Sequence, residues 1–259
     1  MHATATLRVV ETNALAYRRV WRGSVFTTIV SPVLYLAAMG LGLGSIVDEG
    51  GAGATLAGES YLDFLAPGLL AAAAMQTAAG EASWPVFAGF KWQPRYFAML
   101  ATPLGPGDIA VGQLVWIGVR VAITAGVFTV VMAVFGAVTS PWVVLAIPAA
   151  VLCGVAFAAA VAAYTASLQR EYGLPNLFRF GIVPMFLFSG AFFPVEQLPD
   201  AVEWLAYVVP LWHGVELCRG LSLGTLDPGA AVAHVAYLVA WTAAGTAATV
   251  ARFRKRLVV

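Results

Sequence analysis

Long apolar segments alternate along the chain with short polar gaps, and this pattern predicts six membrane-spanning helices. A span needs about 20 apolar residues. Composition agrees, because 61% of the residues are apolar and only 10% are charged, whereas about a quarter of a soluble domain is charged. We therefore expect an all-α polytopic membrane protein that forms one domain over residues 1–259. The predicted spans are 24–46, 62–84, 108–135, 141–167, 177–195 and 228–251.

Positive charge falls on one side of this predicted bundle. Twelve of the 14 Lys and Arg residues lie in four clusters, and with six spans all four clusters share one face. By the positive-inside rule that face is cytoplasmic. We therefore expect a multi-pass protein of the cell membrane with both termini inside. The clusters are Arg8/Arg18/Arg19/Arg22, Lys91/Arg95, Arg170/Arg179 and Arg252/Arg254/Lys255/Arg256.

The segment before the first span has the periodicity of an amphipathic helix. Apolar residues of segment 5–22 recur at spacings of three and four, which places them on one helical face. Arginines occupy another face, so the segment is predicted to lie in the inner interface of the membrane. The apolar face comprises Leu7, Val10, Ala14, Tyr17 and Trp21.

Residues 196–227 are apolar enough to suggest a seventh span, but their polar residues argue against it. Glu203, His213 and Glu216 would each be costly in lipid, and Pro210 divides the run. We expect two short outer helices that dip into the membrane, with these three residues in structural or gating roles.

Motifs for catalysis are missing from the sequence. Neither lysine lies in a Gly-rich loop followed by Ser or Thr, so no phosphate-binding loop is present. The three histidines lack metal-ligand spacing. We expect no catalytic residue, metal or cofactor on this chain, and no nucleic-acid partner.

Arg120 is a basic residue deep within a predicted span. About 18 Å of helix separates it from the start of the third span at 1.5 Å per residue, and an arginine there costs about 2.5–3.5 kcal/mol on insertion scales. Gln113 and Thr124 share its helical face, flanked by Trp116. This stripe indicates either contact with an anionic or sugar-bearing substrate, or a structural arginine at a helix interface.

Glu81 has the charge to pair with Arg120. It lies about three residues from the inner end of its predicted span, nearer the surface than Arg120. We therefore expect Glu81 to hold the inner loop near the interface, or to reach water without a specific partner.

The loop 85–107 is the strongest functional candidate, because Lys91 and Arg95 alternate there with aromatic residues and Met99. Such residues are favoured at protein interfaces. The segment is predicted to form a short amphipathic helix that either docks a cytoplasmic partner or anchors the chain in the interface.

Two stretches resemble ABC-type-2 exporter permeases: FKWQPRYFAMLATPLGPGDIAVGQL, and FLFSGAFFPVEQLPDAVEWLAYVVPLWHGVELCRGL. Within that family the chain is most similar to the nodulation-factor, or lipo-oligosaccharide, exporter branch. The resemblance implies a dimer of permeases above two ATPase subunits, which would bind ATP and Mg²⁺. It makes the 85–107 loop a coupling helix, with the ATPase contacts Lys91, Gln93, Arg95, Tyr96, Met99, Leu100 and Thr102.

The resemblance also places the first and fifth spans along the dimer seam and substrate path. Their aromatic residues would suit sugar rings or lipid tails, or simply pack against lipid. The candidates are Phe186, Phe188, Phe192 and Phe193. The leading hypothesis is thus an exporter of a glycolipid, lipo-oligosaccharide or drug. An ATPase-independent transporter and an intramembrane enzyme acting on lipid-linked substrates remain the alternatives.

Overall fold

The computed structural model describes residues 3–43 and 60–258, and that part of the chain folds into helices joined by short loops, with no strand. The predicted acidic loop with Asp48, Glu49 and Glu59 lies outside the described residues. The helices are α1 (Ala3–Tyr17), α2 (Trp21–Tyr35, continued by π-helical Leu36–Leu43), α3 (Tyr61–Lys91), α4 (Arg95–Leu100), α5 (Pro106–Val134), α6 (Val143–Ser167), α7 (Gly173–Leu177, π-helical Phe178–Ile182 and Val183–Leu187), α8 (Asp200–Val208), α9 (Pro210–Leu223) and α10 (Pro228–Leu257).

Five of these helices are long and apolar enough to cross a membrane: α2 over Trp21–Met39, and α3, α5, α6 and α10 over their whole lengths. The predicted fifth span, 177–195, differs from the structure. Its helix, α7, ends at Leu187, and residues 188–194 are not helical. Gly190 has a φ of +78° there, a left-handed conformation that glycine adopts without strain. At 15 residues, α7 is shorter than a complete span.

Two helices continue further than the apolar pattern predicts. Helix α3 runs through Pro85 to Lys91, so residues 85–91 extend a span rather than begin a loop. Helix α10 likewise continues through the C-terminal basic cluster to Leu257. Both begin at side-chain caps: Ser60 accepts a hydrogen bond from the Asp63 backbone N–H, and Asp227 from that of Ala230. Such caps satisfy backbone donors that a helix start leaves unpaired.

Small residues let α3 and α6 form the centre of the bundle. Helix α3 is the most buried of the five long helices. A Cβ on Gly154 of α6 would lie 3.1 Å from the Ala74 carbonyl oxygen, and one on Gly245 of α10 would lie 2.8 Å from the Ala159 Cβ. Close approach of this kind is typical of membrane helices. Helices α2 and α10 are the least buried and form the flanks.

Two short helices occupy the predicted 196–227 region, and they are separated at Val209, next to Pro210. Helix α9 packs deep in the bundle, where Cys218 is fully buried and a Cβ on Gly214 would lie 2.5 Å from Cys153 Sγ. Both cysteines are free.

The N-terminal helix packs largely by a different face from the one predicted to be apolar, although Tyr17 of the predicted face also contacts α5. Val9 and Asn13 are buried against α5, and Gly112 makes this possible because a Cβ there would lie 2.6 Å from Val9 Cβ. Leu7, from the predicted face, is 62% exposed. The helix ends at Tyr17, five residues before the predicted boundary, and α2 begins at Trp21. An outward apolar face remains compatible with the predicted interfacial position.

Candidate functional site: two polar cavities joined by an ion pair

Two cavities lie between α1, α2, α3 and α5. The larger is about 590 Å³ and the smaller about 270 Å³. Ser24, Glu81, Pro85 and Arg120 line both. These four residues therefore form the boundary between a cavity near the N-terminal helix and one further along the spans.

Arg120 is buried at this boundary and has three partners. Its Nε donates to Glu81 Oε1 at 3.0 Å, its Nη2 donates to Ser24 Oγ, and its guanidinium lies 4.1 Å from the centre of the Tyr17 ring. Its Nη1 has no hydrogen-bond partner among the described residues. A buried donor without a partner is costly, so this nitrogen is available to an oxygen of a ligand or water.

The direct Arg120–Glu81 pair corrects the expected position of Glu81. The sequence suggested a carboxylate three residues from the inner end of its span. Because α3 continues to Lys91, Glu81 lies ten residues from the helix end, or about 15 Å at the helical rise. That depth is within reach of the long arginine side chain, so no large offset between the helices is required.

The larger cavity is lined by hydroxyl and amide groups from three helices. Helix α2 contributes Thr28 and Ser31, α3 contributes Gln76 and Thr77, and α5 contributes Thr124. The Thr77 hydroxyl donates to that of Thr124 at 3.4 Å. Aromatic and apolar groups complete the wall, with Tyr35, Trp84, Phe128 and Phe186 among them.

The smaller cavity connects the ion pair to α4 through amide groups. Gln113 Oε1 accepts a hydrogen bond from Asn13 Nδ2 at 3.2 Å, and Arg95 Nη1 donates to Asn13 Oδ1 at 3.2 Å. Trp116 packs edge-on against Tyr17, with ring centroids 5.8 Å apart. The predicted stripe of Gln113, Trp116, Arg120 and Thr124 thus faces the two cavities, three residues at the smaller and two at the larger.

Tyr96, which was predicted to contact the ATPase, lies inside the fold. It is 0% exposed and packs against Phe90 and Phe253 at centroid distances of 4.8 and 5.3 Å. Gly89 allows this contact, because a Cβ there would lie 2.5 Å from the Tyr96 ring. Burial raises the pKa of Tyr96, which favours the protonated phenol. The end of the bundle where these rings of α3, α4 and α10 meet is called the basic end below.

Arg95 also points inward rather than at a partner, because its guanidinium binds Asn13 and lies near the Pro85 carbonyl. Met99 and Leu100 are half-buried against the same aromatic cluster. Of the seven predicted contacts, Lys91, Gln93 and Thr102 are exposed. Two exposed aromatic residues that the prediction omitted accompany them: Trp92 at 56% and Phe97 at 44%.

The four phenylalanines expected along the substrate path have different surroundings. Phe186 lines the larger cavity and packs edge-on against Phe192, with centroids 4.9 Å apart. Phe188 is exposed, and Phe193 is half-buried. Only Phe186 therefore touches the candidate site.

Glu203, His213 and Glu216 belong to separate contacts at the end of the bundle opposite the basic end. The Tyr207 hydroxyl donates to Glu203 at 2.8 Å, and this bond raises the pKa of Tyr207 to about 12. His213 Nδ1 lies 2.8 Å from His234 Nδ1. Glu216 pairs with Arg219 at 2.9 Å. The histidine contact joins α9 to α10, and the other two bonds lie within α8 and within α9. The gating role of these residues stays a prediction.

The site offers binding groups rather than reactive ones. Within residues 3–43 and 60–258, no group of three or more His, Cys, Asp or Glu side chains could hold a metal. The polar groups at the two cavities are hydroxyls, amides, the Arg120–Glu81 ion pair and the Arg95 guanidinium. Such groups can hold and orient a polar head group beside the apolar bundle.

Several site residues were missed from the sequence. Asn13 and Tyr17 come from a helix that was predicted to lie on the membrane, not against α5. Ser24, Thr28 and Ser31 follow one another at spacings of four and three in the first span. That spacing places them on one helical face, and a search for polar stripes within spans would have found them.

The chain is similar in sequence to known proteins. Residues 4–223 match the family model described as ABC-2 type transporter. Nodulation protein J of Rhizobium leguminosarum bv. viciae is 33% identical over 255 residues, covering 97% of this chain and 94% of that protein. Nodulation protein J of Bradyrhizobium diazoefficiens is 33% identical over 246 residues, covering 95% and 91%. The chain therefore belongs to the ABC-2 type transporter family and is a membrane component of that family, similar to nodulation protein J.

Proposed function

We propose that this chain is the membrane subunit of an ATP-driven exporter that moves an amphipathic substrate outward across the cell membrane. Two copies, or one copy and a paralogue, would form the transport path, and two ATPase subunits would bind ATP and Mg²⁺ at the cytoplasmic face. The substrate class is a glycolipid, lipo-oligosaccharide or drug. Family membership supports this proposal, as do the two polar cavities beside α2.

The observation that carries the proposal is the construction of the basic end. Tyr96 and Arg95 fix α4 to the bundle from inside, while Trp92 and Phe97 remain exposed beside Gln93. Exposed aromatic residues next to charged and polar ones are typical of interfaces. A partner that pushes on this surface would act through Arg95 on Asn13 and Gln113, the residues of the smaller cavity.

The membrane arrangement follows from the same proposal. With the basic end cytoplasmic, as the positive-inside rule favours, both termini lie inside, α1 lies in the interface, and α8 and α9 are on the outer side. Six crossings then require that α7 and the irregular residues 188–199 together complete the fifth. Non-helical backbone at that depth is tolerated where protein surrounds it, and Ser189, Gly190 and Ala191 are all buried.

The alternatives are weakened by the contacts of the acidic residues. A partner-free transporter would use buried carboxylates as proton or ion carriers, but Glu81 is paired with Arg120. An intramembrane enzyme would bring its acids together, whereas Glu203 and Glu216 bind Tyr207 and Arg219 respectively. The exporter is therefore the function that these contacts favour.

Substitution of the exposed aromatic residues tests the proposal. Phe97→Glu and Trp92→Ala should release the ATPase and reduce ATP-driven transport at least tenfold, because hot-spot aromatic residues contribute about 2 kcal/mol or more. Trp142→Ala is the matched control, since Trp142 is 60% exposed but lies in the turn before α6 at the opposite end. Co-purification and transport by vesicles report the result. Normal coupling in both variants would contradict the assigned surface.

A further inference from the structure

The larger cavity carries polar groups in an arrangement that the family assignment does not explain. Ser24, Thr28 and Ser31 present oxygens from α2, while Gln76 and Thr77 present theirs from α3. The Thr28 hydroxyl donates to the Ser24 carbonyl at 2.7 Å. The hydroxyl oxygen of Thr28 can therefore still accept a hydrogen bond from a ligand. Polar side chains inside a span are costly unless they face water or a partner.

The charges at this cavity cancel. Its charged lining residues are Arg120 and Glu81, joined at 3.0 Å. A phosphate placed against Arg120 would meet the Glu81 carboxylate, and a cation placed against Glu81 would meet the guanidinium. An uncharged group with several hydroxyls would avoid both repulsions and still use the oxygens and amide of the wall.

The Arg120 guanidinium has a buried donor without a partner among the described residues. Arg120 is 6% exposed, and its Nη1 makes no hydrogen bond with any residue in the described ranges. The contacts of Arg120 with Glu81, Ser24 and Tyr17 leave this nitrogen unused. An oxygen of a ligand at the boundary between the cavities would satisfy the remaining nitrogen.

The walls also suit an amphipathic molecule. Trp84 is 40% exposed, and Phe186 lines the same cavity from α7. Aromatic faces can pack against the C–H groups of a sugar ring or an alkyl chain. Helix α2 is little buried by the rest of the bundle, so an alkyl chain could extend beside it into lipid.

We propose that the larger cavity binds the uncharged, hydroxyl-rich head group of the exported amphipath within a single permease subunit. This inference rests on the proposed export function. It adds that head-group selection is by hydroxyl and amide groups between α2, α3 and α5, and that the Arg120–Glu81 pair excludes charged head groups.

Binding of three short amphipaths in lipid nanodiscs tests the inference. Octyl β-glucoside is uncharged and hydroxyl-rich, octyl phosphate is anionic, and octyltrimethylammonium is cationic. The signal is the fluorescence change of Trp84, taken as the difference between the unmodified chain and Trp84→Phe. Octyl glucoside should give a saturable change, and the two charged probes should bind at least tenfold more weakly. Equal or tighter binding of either charged probe would overturn the inference.

Substitution of a hydroxyl and of an amide in the cavity wall shows whether these groups contribute to binding of the head group. Thr28→Val and Gln76→Leu should each weaken octyl glucoside binding about fivefold, the loss expected for one hydrogen bond. Thr129→Val is the control, because Thr129 also donates to the carbonyl four residues earlier but does not line the cavity. Equal affinity in Thr28→Val and Thr129→Val would overturn the assignment.

The Glu81→Gln variant tests the charge argument most directly. It leaves Arg120 without its counter-charge, so octyl phosphate should now bind at least tenfold more tightly than it does to the unmodified chain. An unchanged preference would contradict the charge argument. These measurements need neither ATPase nor transport. Loss of the ATPase partner would therefore refute the proposed function alone, whereas normal ATP-driven transport with unchanged probe binding would refute this inference alone.

Discussion

Two arginines, the buried Arg120 and the largely buried Arg219, have similar neighbours but different surroundings. Arg219 in α9 donates through Nε to the Phe64 carbonyl, through Nη1 to Glu216 and through Nη2 to the Gly190 carbonyl, and it lies 3.8 Å from the Phe64 ring centre. Arg120 also has an acid and an aromatic ring, but its Nη1 is unpaired and it lines two cavities.

The difference separates a structural arginine from one available to a ligand. All three nitrogens of Arg219 are used to join α3, α9 and the loop after α7. Arg120 uses only part of its hydrogen-bonding capacity within the described chain. An acidic partner alone does not show whether an arginine in a membrane helix is structural or binds a ligand. Nitrogens without a hydrogen bond and an adjacent cavity indicate the ligand-binding case.

Arg219→Met should have the largest effect on stability. It leaves the Phe64 and Gly190 carbonyls without their donor, at about 1–3 kcal/mol for each buried acceptor, and it also removes the counter-charge of Glu216. We expect low yields of folded protein and a large fall in the midpoint of thermal unfolding. Retention of normal thermal stability would contradict the structural role of Arg219.

Arg120→Met should instead reduce transport at least tenfold while lowering stability by only about 1–2 kcal/mol. Glu81 is partly exposed, so water can solvate its carboxylate when its partner is removed. Transport in vesicles and thermal unfolding of the same preparation separate the two effects. A large loss of stability with normal transport per folded molecule would mean that Arg120, like Arg219, has a structural role.

Gly112→Ala tests whether α1 holds Tyr17 over Arg120. The added methyl group would collide with Val9, and overpacking of this kind costs about 1–3 kcal/mol. Displacement of α1 should move Tyr17 away from Arg120 and reduce transport severalfold. Gly126→Ala is the control on the same helix, because nothing lies within 4 Å of its added Cβ. Equal behaviour of the two variants would contradict the packing of α1 on α5.

Ser24→Ala should have the smallest effect of the set. It removes one of the groups that accept from Arg120 and should cost about 1 kcal/mol. Transport should fall severalfold, and the Arg120–Glu81 pair should persist. An effect as large as that of Arg120→Met would show that the hydroxyl, rather than the ion pair, fixes the arginine.

The sequence predicts the helices of this molecule better than their contacts. The positions of α5, α6 and the break at Pro210 follow from apolar length and proline. The extension of α3 past Pro85 does not, because a proline is tolerated inside a membrane helix when neighbours satisfy the freed carbonyl. That extension moves Glu81 into reach of Arg120 and turns an expected loop into helix.

The sequence predicted the part of the candidate site that depends on helical periodicity, and it missed the part that depends on packing between distant residues. The stripe from Gln113 to Thr124 could be found because helical periodicity fixes a face without knowing the neighbours. Burial of Tyr96 depends on Gly89 and on Phe253, 157 positions later in the chain, and such long-range packing leaves no local pattern. Only the structure distinguishes Tyr96 from the exposed Trp92 and Phe97.

The most direct test of the exporter proposal is native mass spectrometry of the complex extracted gently from its own membranes. The account predicts two permease subunits, identical or paralogous, together with two copies of a subunit that carries a phosphate-binding loop. Recovery of this chain without any ATPase, under conditions that keep a known ABC exporter intact, would contradict the proposed function.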